Sequence, residues 1–467
     1  MGKTSGLFFR SNDPEAPTLW RRITPSKEQF EQQQERWNEL ADHLLDDLRR
    51  RSNCEIRTWL QGSYKFGTQV RPPNKFEEFD IDLGIYHCWD GQAQSGDHKP
   101  QDLKRFTHES LLLHAKVTPD VLEVLEPAKP RCSRIRYTGN FHIDVPSYHL
   151  DTNMDERTLA AEGGWEVSDP KAIYVWFKSK FDDARRAVTR RQIKYIKCWA
   201  ALRWKIENGR PSSIMLTVLI SDAISKLRDD DISADDDALV AVLSEISARL
   251  RRGSFIRNPV NPSENLNRLS EEHWKNFVEA IDEFAGLASD AGVASTQLEA
   301  ADIWSRAFKY FFPLPVNSAI ELAETIAKSG VPAIIQLPDV EVTAVSKTNS
   351  HVRFVKVNEI GPIPKNCEIT FRIKNALQLQ PGTTVHWVVR NEGGEAESEN
   401  DLGHEGAVGL LAVETSSYAG THFMDCSFRQ SGRTYGVRRV PVTISGTSAP
   451  PRNPPRLPPY TSLRGRR

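Results

Sequence analysis

Two short segments of this sequence alternate polar and apolar residues strictly enough to fix where their acids must point. In Phe79-Asp80-Ile81-Asp82-Leu83-Gly84-Ile85, the apolar Phe79, Ile81, Leu83 and Ile85 share one parity, and Asp80 and Asp82 share the other. Side chains at i and i+2 of a strand lie on one face, so this pattern predicts a strand with a core face and two carboxylates projecting together. Phe141-His142-Ile143-Asp144-Val145-Pro146 repeats it, placing Asp144 opposite Phe141, Ile143 and Val145. If the two strands are neighbours, three carboxylates converge, and hard divalent cations prefer such oxygen ligands. Upstream, residues 56–60 read as a further strand that breaks at Gly62, and Gly62-Ser63 offers backbone N–H groups and a hydroxyl suited to anionic oxygens. An Asp-x-Asp or a Gly-Ser turn is weak evidence alone. Their order along the chain carries the argument.

At 467 residues the chain is long enough for two or three domains. A helix is expected from Pro25-Ser26, where Ser26 and Gln29 can form a capping box. Phe30, Trp37, Leu40, Leu44, Leu45 and Leu48 then form one apolar stripe. From about residue 183 the pattern is helical: one helix runs to a C-cap at Asn208-Gly209, and others span 212–227, 234–252, 270–289, 296–312 and 317–329. The acidic runs 229–231 and 235–237 read as a solvated loop and as charges complementing the next helix dipole. Beyond 335 the period becomes two. Strands at 340–345, 367–373, 384–389, 408–413, 421–428 and 437–444 predict a small antiparallel sandwich. The Pro- and Arg-rich end reads as disordered. The expected divisions are therefore 1–182, a helical lobe 183–330, a β-rich domain 335–447 and a tail 448–467.

Lysine and arginine number 61 against 62 aspartate and glutamate, giving a net charge of −1. Bulk charge therefore does not select nucleic acid or an acidic membrane as partner, and any phosphate-binding surface must be local. No apolar run reaches membrane-spanning length and no signal-peptide core opens the chain, so a cytoplasmic protein without membrane association is expected. The cysteines at 54, 88, 132, 198, 367 and 426 are scattered, which reads as free thiols rather than a zinc site.

Residues 61–84 with 141–146 resemble the DNA polymerase β-type nucleotidyltransferase superfamily. The form GSYxxGT followed by DxDLG is similar to the bacterial CD-NTases, relatives of cyclic GMP-AMP synthase and oligoadenylate synthase. The resemblance implies an α+β fold: a mixed sheet with helices, a helical lobe and a following all-β domain. It also implies catalysis at Asp80, Asp82 and Asp144, the same three holding two Mg²⁺ ions, with Mn²⁺ as a substitute. Nucleotide contacts fall on Gln61, Gly62 and Ser63. Arg190, Lys194 and Lys197 form a basic stripe within RRQIKYIKCWA that would ordinarily be a solvated face, but Lys197 matches a triphosphate-binding lysine. Ser213, in a stretch that otherwise reads as a helix N-cap, matches a triphosphate-binding serine. Trp165 and Trp176 also fit the family, although core packing explains them as well.

The implied activity joins NTPs, ATP and GTP among them, into a cyclic oligonucleotide signal for antiphage defence, with release of pyrophosphate. A transferase acting on RNA or protein, and a catalytically silent nucleotide sensor, are the alternatives. The C-terminal part looks like the AGS-C domain, which implies a regulatory ligand or protein. There His386, Trp387, Tyr418 and His422 either line a pocket or simply pack. The tail ending Leu463-Arg464-Gly465-Arg466-Arg467 is a candidate for covalent conjugation through the C-terminus.

Overall fold

The computed structural model describes residues 2–315 and 337–449. Two compact units divide the chain: Met1–Leu314 with Ser398–Asp401, and Pro315–Glu397 with Leu402–Arg467.

In the first unit two short helices, α1 (Ser5–Phe8) and α2 (Leu19–Ile23), precede α3 (Lys27–Ser52). The expected capping box starts α3: Ser26 accepts from the Gln29 N–H, and the Gln29 side chain accepts from the Ser26 N–H. Asn53, in the left-handed conformation, ends it. The buried stripe is Leu40, Ala41, Leu44 and Leu48, whereas Phe30 is exposed and stacks on Tyr64 instead.

The eight-stranded sheet is organised around β2 (Phe79–Trp89). One edge of β2 pairs antiparallel with β1 (Glu55–Gln61). It runs parallel first to β5 (Phe141–Val145) and then to β6 (Ser147–Asp151). These two form one rail whose register against β2 continues unchanged across Pro146, and the Ile85 N–H still finds the Pro146 carbonyl. Outward, β5 pairs antiparallel with β4 (Ser133–Tyr137), which pairs with β3 (Val121–Val124). Similarly, β6 pairs with β7 (Glu156–Ala161), which pairs with β8 (Gly164–Val167). Phe79, Ile81, Leu83, Ile85, Phe141, Ile143 and Val145 are all buried in one core beneath α3 and α5 (Pro100–Val117). Alternation then leaves the polar residues of β2 and β5 on the other face.

Helix α4 (Gly62–Phe66) continues from β1. After α6 (Pro170–Lys180) the helical part comprises α7 (Asp183–Arg203), α8 (Ser213–Ile224), α9 (Asp235–Leu250), α10 (Glu271–Val293) and α11 (Gln297–Phe308). The helix expected to reach residue 208 stops at Arg203. Trp204 turns extended and packs edge-on against Trp199, and Gly209 follows only a separate 3₁₀ turn. The acidic run at 235–237 is also not a simple solvated end. Asp235 and Asp236 are buried; Asp235 accepts from Arg191 and from the Tyr195 hydroxyl, and Asp236 accepts from Thr4. The helix expected at 317–329 lies outside the described residues.

Among the described residues, the second unit has two sheets. β9 (Val340–Ser346) pairs with β10 (Arg353–Val357) and β12 (Cys367–Ile373), which pairs with β15 (Leu411–Thr415). The other sheet contains β11 (Ile360–Lys365), β13 (Thr384–Arg390), β14 (Gly403–Val408), β16 (Gly420–Gln430) and β17 (Arg433–Ser448). Inward residues from both sheets, including Val342, Phe371, Trp387, Cys426 and Val440, share one core. Two expectations are corrected here. The single strand placed at 408–413 is two strands, because Gly409 at φ 139° turns the chain between them. The sandwich is not wholly antiparallel either, since β11 runs parallel to β17. Of the four residues offered as a possible pocket, Trp387 and His422 serve packing. Trp387 is in the core with its indole N–H on the Gly409 carbonyl, and His422 is buried, bonded to the Glu392 N–H and facing the Tyr418 carbonyl. The tail from 450 on lies outside the described residues.

Candidate active site

The parallel register places Asp82 directly against Asp144 and Asp80 directly against His142. One ligand atom each from Asp80, His142 and Asp144 lies within 4.8 Å of the others. Burial, then the charges of Asp80 and Asp144, push the Asp82 carboxyl well above the usual carboxylate range. Burial acts the same way on Asp144, but there hydrogen bonds and charge from Arg134, with Lys129 beyond, prevail and hold its pKa down. Arg134, facing Asp144 from β4, donates through Nε to Oδ1 (2.5 Å) and through Nη2 to Oδ2 (2.8 Å); Lys129 adds a bond to Oδ2 (3.2 Å). Both Asp144 oxygens are thus already engaged by cationic side chains. Crowded oxygen donors, one of them destabilised by like charge, fit a divalent cation.

Around this cluster the wall is tightly specified. Gly62 sits at φ +58°, and a β-carbon there would meet Asp82 Oδ2 at 1.8 Å. Gln61, expected at the nucleotide, spends its amide on the wall: it donates to the Tyr86 hydroxyl (2.9 Å) and accepts from the Tyr148 hydroxyl (3.2 Å). The two tyrosine rings stack at 5.0 Å. Ser63 lies in the first turn of α4, and its hydroxyl makes no hydrogen bond among the described residues. Lys197 is buried and donates to the Thr68 carbonyl (2.9 Å); burial brings its pKa down to about 8 despite the attraction of Asp80 and Asp82. Lys194, also buried, is lowered to about 8 by desolvation and by its cationic neighbours. The basic stripe is therefore not a solvated face: it is turned inward, with Arg190 donating to the Phe66 carbonyl.

A cavity of about 460 Å³ opens beside the acids, lined by Gln61, Gly62, Asp82, Asp144, Tyr148 and, from the helical part, Ile214, among others. Ser63, Lys197 and Ser213 are not part of its lining. Ser213 is exposed in the first turn of α8, and Ser212 is the residue that caps that helix, accepting from the Met215 N–H. Trp165 and Trp176 are half-buried, and Trp165 packs edge-on to Trp89.

Sequence reasoning passed over His142, Glu78, Arg134 and Lys129. A signal for two of them existed. Glu78 has the parity of Asp80 and Asp82, and Ser133-Arg134-Ile135-Arg136-Tyr137 is itself an alternating strand.

A mixed sheet carrying an acid pair on one strand, a third acid on its parallel neighbour and a Gly-Ser turn alongside is the arrangement of the polymerase β-type nucleotidyltransferase fold. More closely, residues 56–148 match the family described as the nucleotidyltransferase domain of cyclic GMP-AMP synthase, DncV-like, and residues 321–445 match the adenylyl/guanylyl and SMODS C-terminal sensor domain. In order along the chain, these stretches are similar to a DncV-like nucleotidyltransferase domain and an AGS-C sensor domain. The chain is 27% identical over 445 residues to a cyclic GMP-AMP synthase of Escherichia albertii, covering 94% of this chain and 96% of that one. A c-di-GMP synthase of Roseivirga ehrenbergii is 26% identical over 298 residues, 56% of this chain and 72% of its own. The fold is shared with the Vibrio cholerae DncV cyclic AMP-GMP synthase at a TM-score of 0.57 and 18% identity, over 67% of this chain and 98% of that one. No helix among the described residues is long and apolar enough to cross a membrane.

Proposed function

We propose that this protein is a cytoplasmic cyclic-dinucleotide synthase that joins NTPs, ATP and GTP among them, with release of pyrophosphate, to make a signal for antiphage defence. The observation that carries the reading is the β2–β5 register that sets Asp82 against Asp144 beside the Gly62 turn. The similarity to proteins named cyclic GMP-AMP synthase and c-di-GMP synthase supports the choice of product class.

In this reading Asp80, Asp82 and Asp144 are the metal ligands. When bound, two Mg²⁺ ions, or Mn²⁺ in their place, neutralise the triphosphate and acidify the attacking hydroxyl. Asp144 faces the incoming hydroxyl and assists its deprotonation. Ser63 and the α4 backbone receive triphosphate oxygens, Lys197 supplies positive charge from beneath that turn, and Ser213 contributes from α8. Gln61, pinned between Tyr86 and Tyr148, keeps the cleft wall rigid. Alignment and fixed charge then account for catalysis of an in-line displacement. Residues 1–182 and 183–330 make the catalytic half. Residues 335–447 sense a regulatory ligand or protein, and the tail 448–467 is the point of conjugation.

The test is product analysis. The purified chain is incubated with all four NTPs and Mg²⁺ without polymer, alongside a variant carrying Asp80→Ala and Asp82→Ala. A phosphatase-resistant cyclic product made by the natural protein alone is expected. Label appearing in RNA or protein instead, or a product unaffected by the double substitution, defeats the proposal.

A further inference from the structure

His142 stands opposite Asp80 in the strand register, the place that Asp144 holds opposite Asp82. Its ring is 7% exposed. Asp80, by contrast, is half exposed, and among the described residues its carboxylate has no other side-chain partner. An exposed aspartate held by nothing else would share its time among rotamers, and a ligand must then lose that freedom on binding.

The ring is fixed from both sides. His142 Nε2 lies 2.9 Å from Asp80 Oδ1, and Nδ1 lies 2.9 Å from Glu78 Oε2. Glu78 is gripped in turn by Arg136, which also donates to Glu123. The series Glu123, Arg136, His142, Asp80 therefore crosses the sheet through β3, β4, β5 and β2, with Glu78 as the link before β2. A histidine oriented through one nitrogen by a carboxylate is rigid enough to orient whatever meets the other.

We propose that His142 is a positioning residue: by pinning Oδ1 of Asp80 it presents Oδ2 to the cation, and Glu78 holds the ring in place to do so. The proposal rests on the reading of Asp80 as a metal ligand.

Glutamine and asparagine separate the two ring nitrogens. A glutamine amide nitrogen reaches the place of Nε2 and preserves the bond to Asp80, whereas an asparagine amide reaches only the place of Nδ1. Mn²⁺ alone is titrated into the full-length natural protein, His142→Gln, His142→Asn and Asp80→Ala, with free Mn²⁺ read by EPR and folding checked by thermal melting. His142→Asn should weaken binding by roughly 10- to 100-fold, the usual range for loss of such a supporting group, while His142→Gln retains it. Unweakened binding by His142→Asn overturns the proposal, as does equal weakening in both variants. So does a directly coordinated imidazole nitrogen in the echo-modulation spectrum of bound Mn²⁺, which would make His142 itself a ligand. Failure of the natural protein to bind Mn²⁺, or full binding by Asp80→Ala, overturns instead the assignment of Asp80 on which the proposal stands.

Discussion

Gly62 and Asp82 approach so closely that no β-carbon fits between them: one built on Gly62 would lie 1.8 Å from Asp82 Oδ2. The same glycine holds φ at +58°, so a side chain there is strained by its own backbone as well. Gly62→Ala should displace the carboxylate or the turn, and misplacement of about an ångström costs roughly 10²-fold in rate. Steady-state pyrophosphate release measures this, and a variant with unchanged kcat/KM would show that the turn and the acid need not touch.

Lys197, as the proposed triphosphate ligand, should give the reaction an alkaline limit. Its pKa is lowered to about 8 in the folded chain, so it loses its proton well before an exposed lysine does. If it binds triphosphate, kcat/KM should fall as pH rises through about 8, and Lys197→Arg should remove that fall, because guanidinium stays charged. The stability linkage has the opposite sense. Between about 8 and the ordinary lysine value the unfolded chain holds more protons than the folded one, so this group adds stability as pH rises through that window. Denaturant titrations from pH 7 to 10 check this second sign independently of activity.

The acidic run before α9 and the one that opens it should respond differently to mutation. Asp235 is buried against Arg191 and Tyr195, and Asp235→Ala leaves the largely buried Arg191 without its carboxylate, at a cost of about 3–5 kcal/mol. Asp229 is almost wholly exposed where it meets Arg185, and Asp229→Ala should change stability by about 1 kcal/mol or less. Urea denaturation of both variants tests the contrast.

Ser26→Ala removes half of the capping box that starts α3, and about 1 kcal/mol of stability should go with it. Catalysis should survive, since α3 packs against the core face of the sheet, away from the acids. Melting and pyrophosphate release, measured together, separate the two effects.

Why some of this was legible in the sequence and some was not follows from the distance over which each feature is decided. The faces of β2 and β5 were readable because a period of two is set within each strand, and the Ser26 box because it closes within four residues. The place of 235–237 in the first turn of α9 was readable, but the burial of Asp235 was not, because a run of aspartates gives no sign of Arg191 and Tyr195, which lie some forty residues upstream. His142 was passed over for a similar reason. An imidazole among apolar neighbours acquires its role only when Glu78 and Asp80 arrive from another strand. The end of α7 at Arg203 depended on Trp204 finding Trp199, a packing choice that overrode the Asn-Gly stop signal a few residues later. The fold was thus readable where it is periodic, and the site where its acids share a strand. Of the partners recruited across the sheet, Arg134 had the mark of an alternating strand, whereas His142 and Lys129 had none.

Pro146 deletes one N–H between β5 and β6 without disturbing their common alignment to β2. Asp144 and Tyr148 therefore ride on the same piece of backbone, one in the proposed metal site and the other bonded to Gln61 in the wall. Evolution or design cannot retune the shape of that wall by sliding the strand without dragging Asp144 along. A change of nucleotide preference in this protein must come from side chains and from the helical half of the cleft.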